Sequence, residues 1–110
     1  MKLRPIEPAD AEAVTRLVRE LGYDGTPEEV AARLRALAEP ADLLLLAEVD
    51  GAVVGWIHVQ MRRALTGPPF AEIEGLVVAA SARRGGVGRE LVSAAQDWAR
   101  ARGLAKLRVR

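Results

Sequence analysis

Two periodicities alternate along the chain, and the changes between them predict the elements. Lys2 to Pro5 reads as a short first strand. Pro8 suits the first turn of a helix, in which Val14, Leu17, Val18 and Leu21 recur at helical spacing and Gly22 serves as the C-terminal cap. Tyr23, Asp24 and Gly25 form a loop. Thr26-Pro27-Glu28-Glu29 is a capping box that opens a second helix, with Val30, Leu34 and Leu37 on one face and a stop before Pro40. From Asp42 to Val49 the pattern is that of a strand, with Leu43 to Leu46 an unbroken apolar run. Asp50-Gly51 is a two-residue hairpin signal, and Val53 to Met61 is the returning strand, where Gly55 marks a bulge or a close backbone approach. Arg62 to Pro69 reads as a loop, with Gly67-Pro68-Pro69 stopping any pairing. A strand from Ile73 to Val78 and a helix with Val87, Leu91, Ala94, Ala95 and Trp98 on one face follow. Gly103 ends that helix, and Leu104 to Arg110 begins a last strand in which Ala105, Leu107 and Val109 alternate with Lys106, Arg108 and Arg110. The predicted order is β-α-α-β-β-β-α-β, an α/β chain.

Composition narrows the function classes. The 110 residues suffice for one domain with one modest core, and 50% hydrophobic residues argue against disorder. A net charge of +1 is too balanced for a domain that lives on nucleic acid or on an anionic membrane. The chain has no cysteine, hence no disulfide, thiol nucleophile or cysteine metal site, and its one histidine, His58, rules out a histidine-rich metal cluster. His58 itself reads as an ordinary strand residue. The N-terminus carries no signal-peptide apolar run and no segment is long enough to span a bilayer, so a cytoplasmic location is expected.

The chemistry concentrates between Ala71 and Arg102. An apolar strand enters a turn of Arg83, Arg84, Gly85, Gly86, Val87 and Gly88, and a helix follows at once. Glycines let backbone approach a ligand, and the first N–H groups of a helix are free donors at the positive end of its dipole. Together with the arginines, these groups suit a phosphate or pyrophosphate. Arg89 in the first helical turn opposes the dipole, which a bound polyanion would offset. The turn is neither a P-loop, since no Lys-Ser or Lys-Thr follows the glycines, nor a dinucleotide fingerprint, since Leu91 stands where the third glycine belongs.

Arg83-x-x-Gly86-x-Gly88, after a strand ending Leu76-Val77-Val78, resembles the acetyl-CoA loop of the GCN5-related N-acetyltransferases (GNAT). The opening Leu3-Arg4-Pro5 with Asp10-Ala11, the Asp50-Gly51 hairpin and Gly55 resemble the family too, so the likeness runs from Leu3 to Arg110 and is most specific from Leu76 to Leu91. Two departures stand out. Ala80 occupies a position where members often have proline, and the chain reaches Arg110 without the C-terminal helix and strand pair that usually carry a tyrosine acid for the leaving thiolate.

The resemblance implies a mixed central sheet flanked by helices, as a single N-acetyltransferase domain over residues 1–110 that is short at its C-terminal end. It implies acetyl transfer from acetyl-CoA to a primary amine of a small molecule or protein; the alternative is an acyl-CoA-binding module, or a truncated enzyme completed by another chain. The pantetheine arm is expected along Leu76, Val77 and Val78, and the pyrophosphate on Arg83, Arg84, Gly85, Gly86, Val87, Gly88 and Arg89. A main-chain N–H near Val77 or Val78 would hold the thioester oxygen. Glu72 and Glu74 share a strand face and are the candidate bases, with Glu72 favoured; Tyr23 and Asp24 are expected to touch the acceptor. No metal is called for. An exposed last strand predicts a homodimer, or a fragment of a longer protein.

Overall fold

The alternation of Leu3 and its neighbours places β1 (Lys2–Pro5) against β2 (Asp42–Val49) in a computed structural model of the chain, which describes residues 1–37 and 41–110. Arg4 joins this edge to the next element, since its guanidinium forms a paired contact with Asp10, at 2.8 Å to each oxygen, and also bonds Glu48. A 3-10 turn, Pro8–Asp10, leads into α1 (Ala11–Glu20). Gly22 takes a left-handed φ of +89° just past α1, as a C-terminal cap requires. The capping box forms as expected at α2 (Pro27–Ala36): Thr26 Oγ1 accepts from the N–H of Glu29, and the Glu29 carboxylate accepts from the N–H of Thr26. Pro40, the expected stop of this helix, lies outside the described residues.

The Asp50-Gly51 turn has φ of +50° and +80°, the geometry of a tight hairpin, and joins β2 to β3 (Ala52–Ala64). The next connection differs from the expected loop. β4 runs from Gly67 to Val78, and Arg62 to Ala64 and Gly67 to Phe70 are paired strand, turning only at Leu65-Thr66. The prolines do not stop pairing, because a register shift between Arg62 and Ala64 accommodates the segment and proline's φ suits an extended chain. Helix α3 (Val87–Ala101) ends at Gly103, with φ of +71°, and β5 (Leu107–Val109) is shorter than the expected strand. The sheet order is β1-β2-β3-β4-β5, antiparallel except for the parallel β4–β5 pair, so the sheet is mixed. No helix among the described residues is long and apolar enough to cross a membrane.

The unbroken apolar run of β2 is explained by helices on both faces. On one face Ile57, Val59, Ala71 and Ile73 pack with Val87, Leu91, Ala95 and Trp98 of α3. On the other, Leu17 of α1 packs against Val77 and Trp56. Gly55 is both things that its sequence position suggested. The ladder shifts beside it, and a Cβ there would lie 2.9 Å from the Val77 carbonyl oxygen and 3.0 Å from Val87 Cγ1. Gly55→Ala is therefore expected to destabilise the fold by roughly 1–3 kcal/mol through overpacking, read by chemical denaturation; an unchanged midpoint would mean that β3 and β4 can part freely here.

Candidate active site

One irregularity in β4 builds the site. Val59 lies opposite Ile73, but His58 lies opposite Gly75, so Glu74 is the extra residue of a β-bulge. Ala71 and Ile73 before the bulge face α3, whereas Val77 after it faces Leu17 of α1. Glu74 and Gly75 thus fall on the same side of the sheet. Past the bulge, the Ala79 N–H bonds the Val54 carbonyl at 2.7 Å. By the alternation of an antiparallel ladder, the main-chain groups of Val77 point to β3 and those of Leu76 and Val78 point away from it.

That open side of β4 borders a cleft of about 480 Å³, lined by Glu74, Gly75 and Leu76 from β4, Val92 and Gln96 from α3, and Val109 from β5. Next along the strand lies a hollow of about 310 Å³ at the start of α3, lined by Val78, Arg83, Arg84, Gly86, Gly88 and Arg89. Val87 also borders it but is 3% exposed and anchors the helix in the core. Gly85 does not line the hollow; its N–H donates to Ala82 and tightens the turn. Gly86, with φ of +83°, is the N-cap, and no side chain caps the helix there. The free first-turn donors therefore face the hollow, in contrast to α2, where Thr26 takes one. Arg84 holds a left-handed φ of +70° without being glycine, a strain of roughly 1–3 kcal/mol of the kind that collects at binding sites. Ala80, where proline is common, donates its N–H to Glu20 at 3.0 Å, a bond that proline would forfeit.

A third cleft, of about 360 Å³, opens on the α1 face between Val18, Leu21, Tyr23, Trp56, Glu74 and Leu76. The two candidate carboxylates fare differently. Arg62 spans them, with Nε donating to Glu72 at 3.1 Å and Nη2 to Glu74 Oε1 at 3.0 Å, and the ion pairs raise the guanidinium pKa above its usual value. Arg110 adds a second bond to Glu74 Oε1 at 3.0 Å. Glu74 is 9% exposed, and its Oε2 is buried without a donor among the described residues. Glu74, Gly75 and Leu76 line both the first and third clefts; Glu72 lines neither. Of the expected acceptor contacts, Tyr23 lines the third cleft and is 67% exposed, whereas Asp24 does not line it. Trp56 and Arg62 were not singled out from sequence. The signal for Trp56 was available, as a bulky aromatic one strand period from His58.

A strand with an outward-facing main chain, a glycine turn and an uncapped helix start thus lie in succession. The acetyltransferase (GNAT) family model matches residues 11–110. The chain belongs to that family. It is accordingly an acetyl-CoA-dependent N-acetyltransferase. Among relatives of this GNAT chain, the aminoglycoside N(6')-acetyltransferase type 1 of Klebsiella aerogenes is 35% identical over 92% of this chain and 72% of its own length. The corresponding enzyme of Serratia marcescens is 34% identical over 76% of this chain and 61% of its own. The fold is shared with the aminoglycoside antibiotic 6'-N-acetyltransferase AAC(6')-IG of Acinetobacter haemolyticus, at a TM-score of 0.85 and 23% identity over 100% of this chain and 79% of that one. It is also shared with AAC(6')-Iy in complex with the bisubstrate analogue CoA-S-monomethyl-acetylneamine, at 0.82 and 22% over 99% and 78%.

Proposed function

We propose that this GNAT domain, residues 1–110, acetylates a primary amine of a small molecule that enters the cleft between Tyr23, Trp56 and Glu74, and that Glu74 is the base. The observation that carries this reading is the Glu74 carboxylate itself. It is nine-tenths buried at the junction of two clefts, clamped through Oε1 by Arg62 and Arg110, and Oε2 has no donor among the described residues. A buried carboxylate oxygen that takes no protein donor keeps its lone pairs for a proton from the substrate or a water.

The chain's own groups fit acetyl-CoA. In this reading, the Leu76 and Val78 main chain pairs with the pantetheine amides as an added strand would. The N–H groups of the first turn of α3 and Arg83, Arg84 and Arg89 take the pyrophosphate. Gly86 and Gly88 keep side chains out of that hollow. When bound, acetyl-CoA supplies an acetyl group activated as a thioester. The Val78 N–H, turned away from β3, donates to the acetyl oxygen as negative charge grows on it. Glu74 Oε2 takes one ammonium proton, directly or through one water, and frees the lone pair of the amine. The nitrogen then bonds the acetyl carbon as the C–S bond breaks. Its second proton passes, directly or through water, to the departing sulfur, so that the products are the amide and the free thiol. A small-molecule amine is favoured over a protein amine by the relatives, whose names give an aminoglycoside as acceptor. A homodimer, with the exposed Val109 of β5 at the contact, belongs to the same proposal.

The test is thiol release from acetyl-CoA in the presence of neamine, kanamycin and simple alkylamines, with the mass in solution taken by light scattering. Amine-dependent thiol release is the expected result. Tight acetyl-CoA binding with no release on any amine would overturn catalysis in favour of a binding module.

A further inference from the structure

Trp56 stands where two cavities meet. It lines the acceptor cleft, and it also lines a smaller cavity of about 160 Å³ that lies between the sheet and the helices α1 and α2. Among the described residues only Val18 and Trp56 border both, so these two side chains form the partition. The space behind is walled by Val14, Val30, Leu34 and Leu44 and is thus mainly apolar. Its polar lining includes His58, whose Nε2 is engaged by Asp42 Oδ1 at 2.7 Å.

The indole is held against β4 by an absence of side chain. A Cβ at Gly75 would lie 3.0 Å from both Cη2 and Cζ3 of Trp56, closer than packed atoms normally sit. Gly75 follows Glu74, and the bulge turns both residues to the same face. The backbone that carries the base therefore also seats the ring.

We infer that Trp56 is a specificity-determining wall: it ends the acceptor cleft and limits the length of apolar body that an acceptor amine can carry past Glu74. This inference rests on the proposed acceptor cleft. Removing the indole joins the cleft to the cavity behind it and creates a continuous apolar channel toward Leu34. Longer alkylamines then gain buried surface, worth roughly fourfold per methylene group that enters.

The experiment compares n-butylamine with n-octylamine as acceptors for the wild type, Trp56→Ala and Trp56→Ala/Leu34→Trp. The octyl-to-butyl ratio of kcat/KM is expected to rise at least about tenfold in Trp56→Ala, mainly through a lower KM for octylamine, and to fall back when Leu34→Trp refills the channel. Where the wild type turns over neither alkylamine, calorimetric affinities of the two amines give the same ratio. Trp56→Phe, which keeps a smaller ring on Gly75, replaces the alanine variant if that fails to fold, with a smaller rise expected. A folded variant with an unchanged ratio would overturn the wall while leaving the acceptor cleft standing. A wild type that acetylates no amine at all would remove both.

Discussion

Glu74→Gln is expected to lower kcat by about 10²-fold or more, the scale of losing a general base, with the affinity for acetyl-CoA unchanged. Glutamine keeps the size of the side chain and leaves an oxygen for Arg62 and Arg110, so the clamp and the bulge survive. It cannot take a proton from an ammonium group. Glu72→Gln is the companion variant, and a far smaller loss is expected. Its carboxylate is bonded to Arg62 Nε and borders neither the strand cleft nor the acceptor cleft. Steady-state kinetics at saturating acetyl-CoA, beside calorimetry of acetyl-CoA binding, separate the two outcomes. A folded Glu74→Gln protein with turnover within a few-fold of the wild type would remove Glu74 as the base, and a large loss in Glu72→Gln alone would transfer the role.

The second large effect belongs to the hollow at the start of α3. Gly88→Val is expected to weaken acetyl-CoA binding by roughly 10²- to 10⁴-fold, the cost of losing about two charge-assisted hydrogen bonds of about 1.5–3 kcal/mol each. Gly88 is the better site for this test than Gly86. At Gly86 the φ of +83° strains any replacement, so lost binding would be confounded with a broken turn. Gly88 lies inside α3 without a left-handed φ, and a Cβ there would meet only Val78 Cγ2, at an ordinary 3.7 Å. The helix should therefore form, with the new side chain beside the donors that the phosphates need. Calorimetry gives the affinity, and circular dichroism confirms the helix content. Unchanged affinity in a folded variant would mean that the pyrophosphate sits elsewhere.

What was legible from sequence alone was local. The Thr26–Glu29 cap, the Asp50-Gly51 turn, the glycines that close α1 and α3, and the Arg83–Gly88 turn each depend on residues within a few positions of one another, where backbone sterics and short-range hydrogen bonds decide the outcome. The element order, and with it the resemblance to the GNAT family, followed from those signals. At Gly67-Pro68-Pro69 the local breakers are overridden, because pairing with β3 supplies an extended partner that local propensity does not contain.

The surroundings of Glu74 were decided only by the tertiary structure. Two glutamates two residues apart are equivalent to a pattern, and the strand register makes them different. A single extra residue in the β3–β4 ladder puts Glu74 beside Gly75 on one face, at the junction of two clefts. Arg62 and Arg110, 12 and 36 positions away along the chain, then converge on one of its oxygens. Trp56 becomes a wall because Gly75, across the ladder, makes room for its ring. Register, burial and convergence are properties of pairs far apart in the chain, which the spacing of neighbours does not encode.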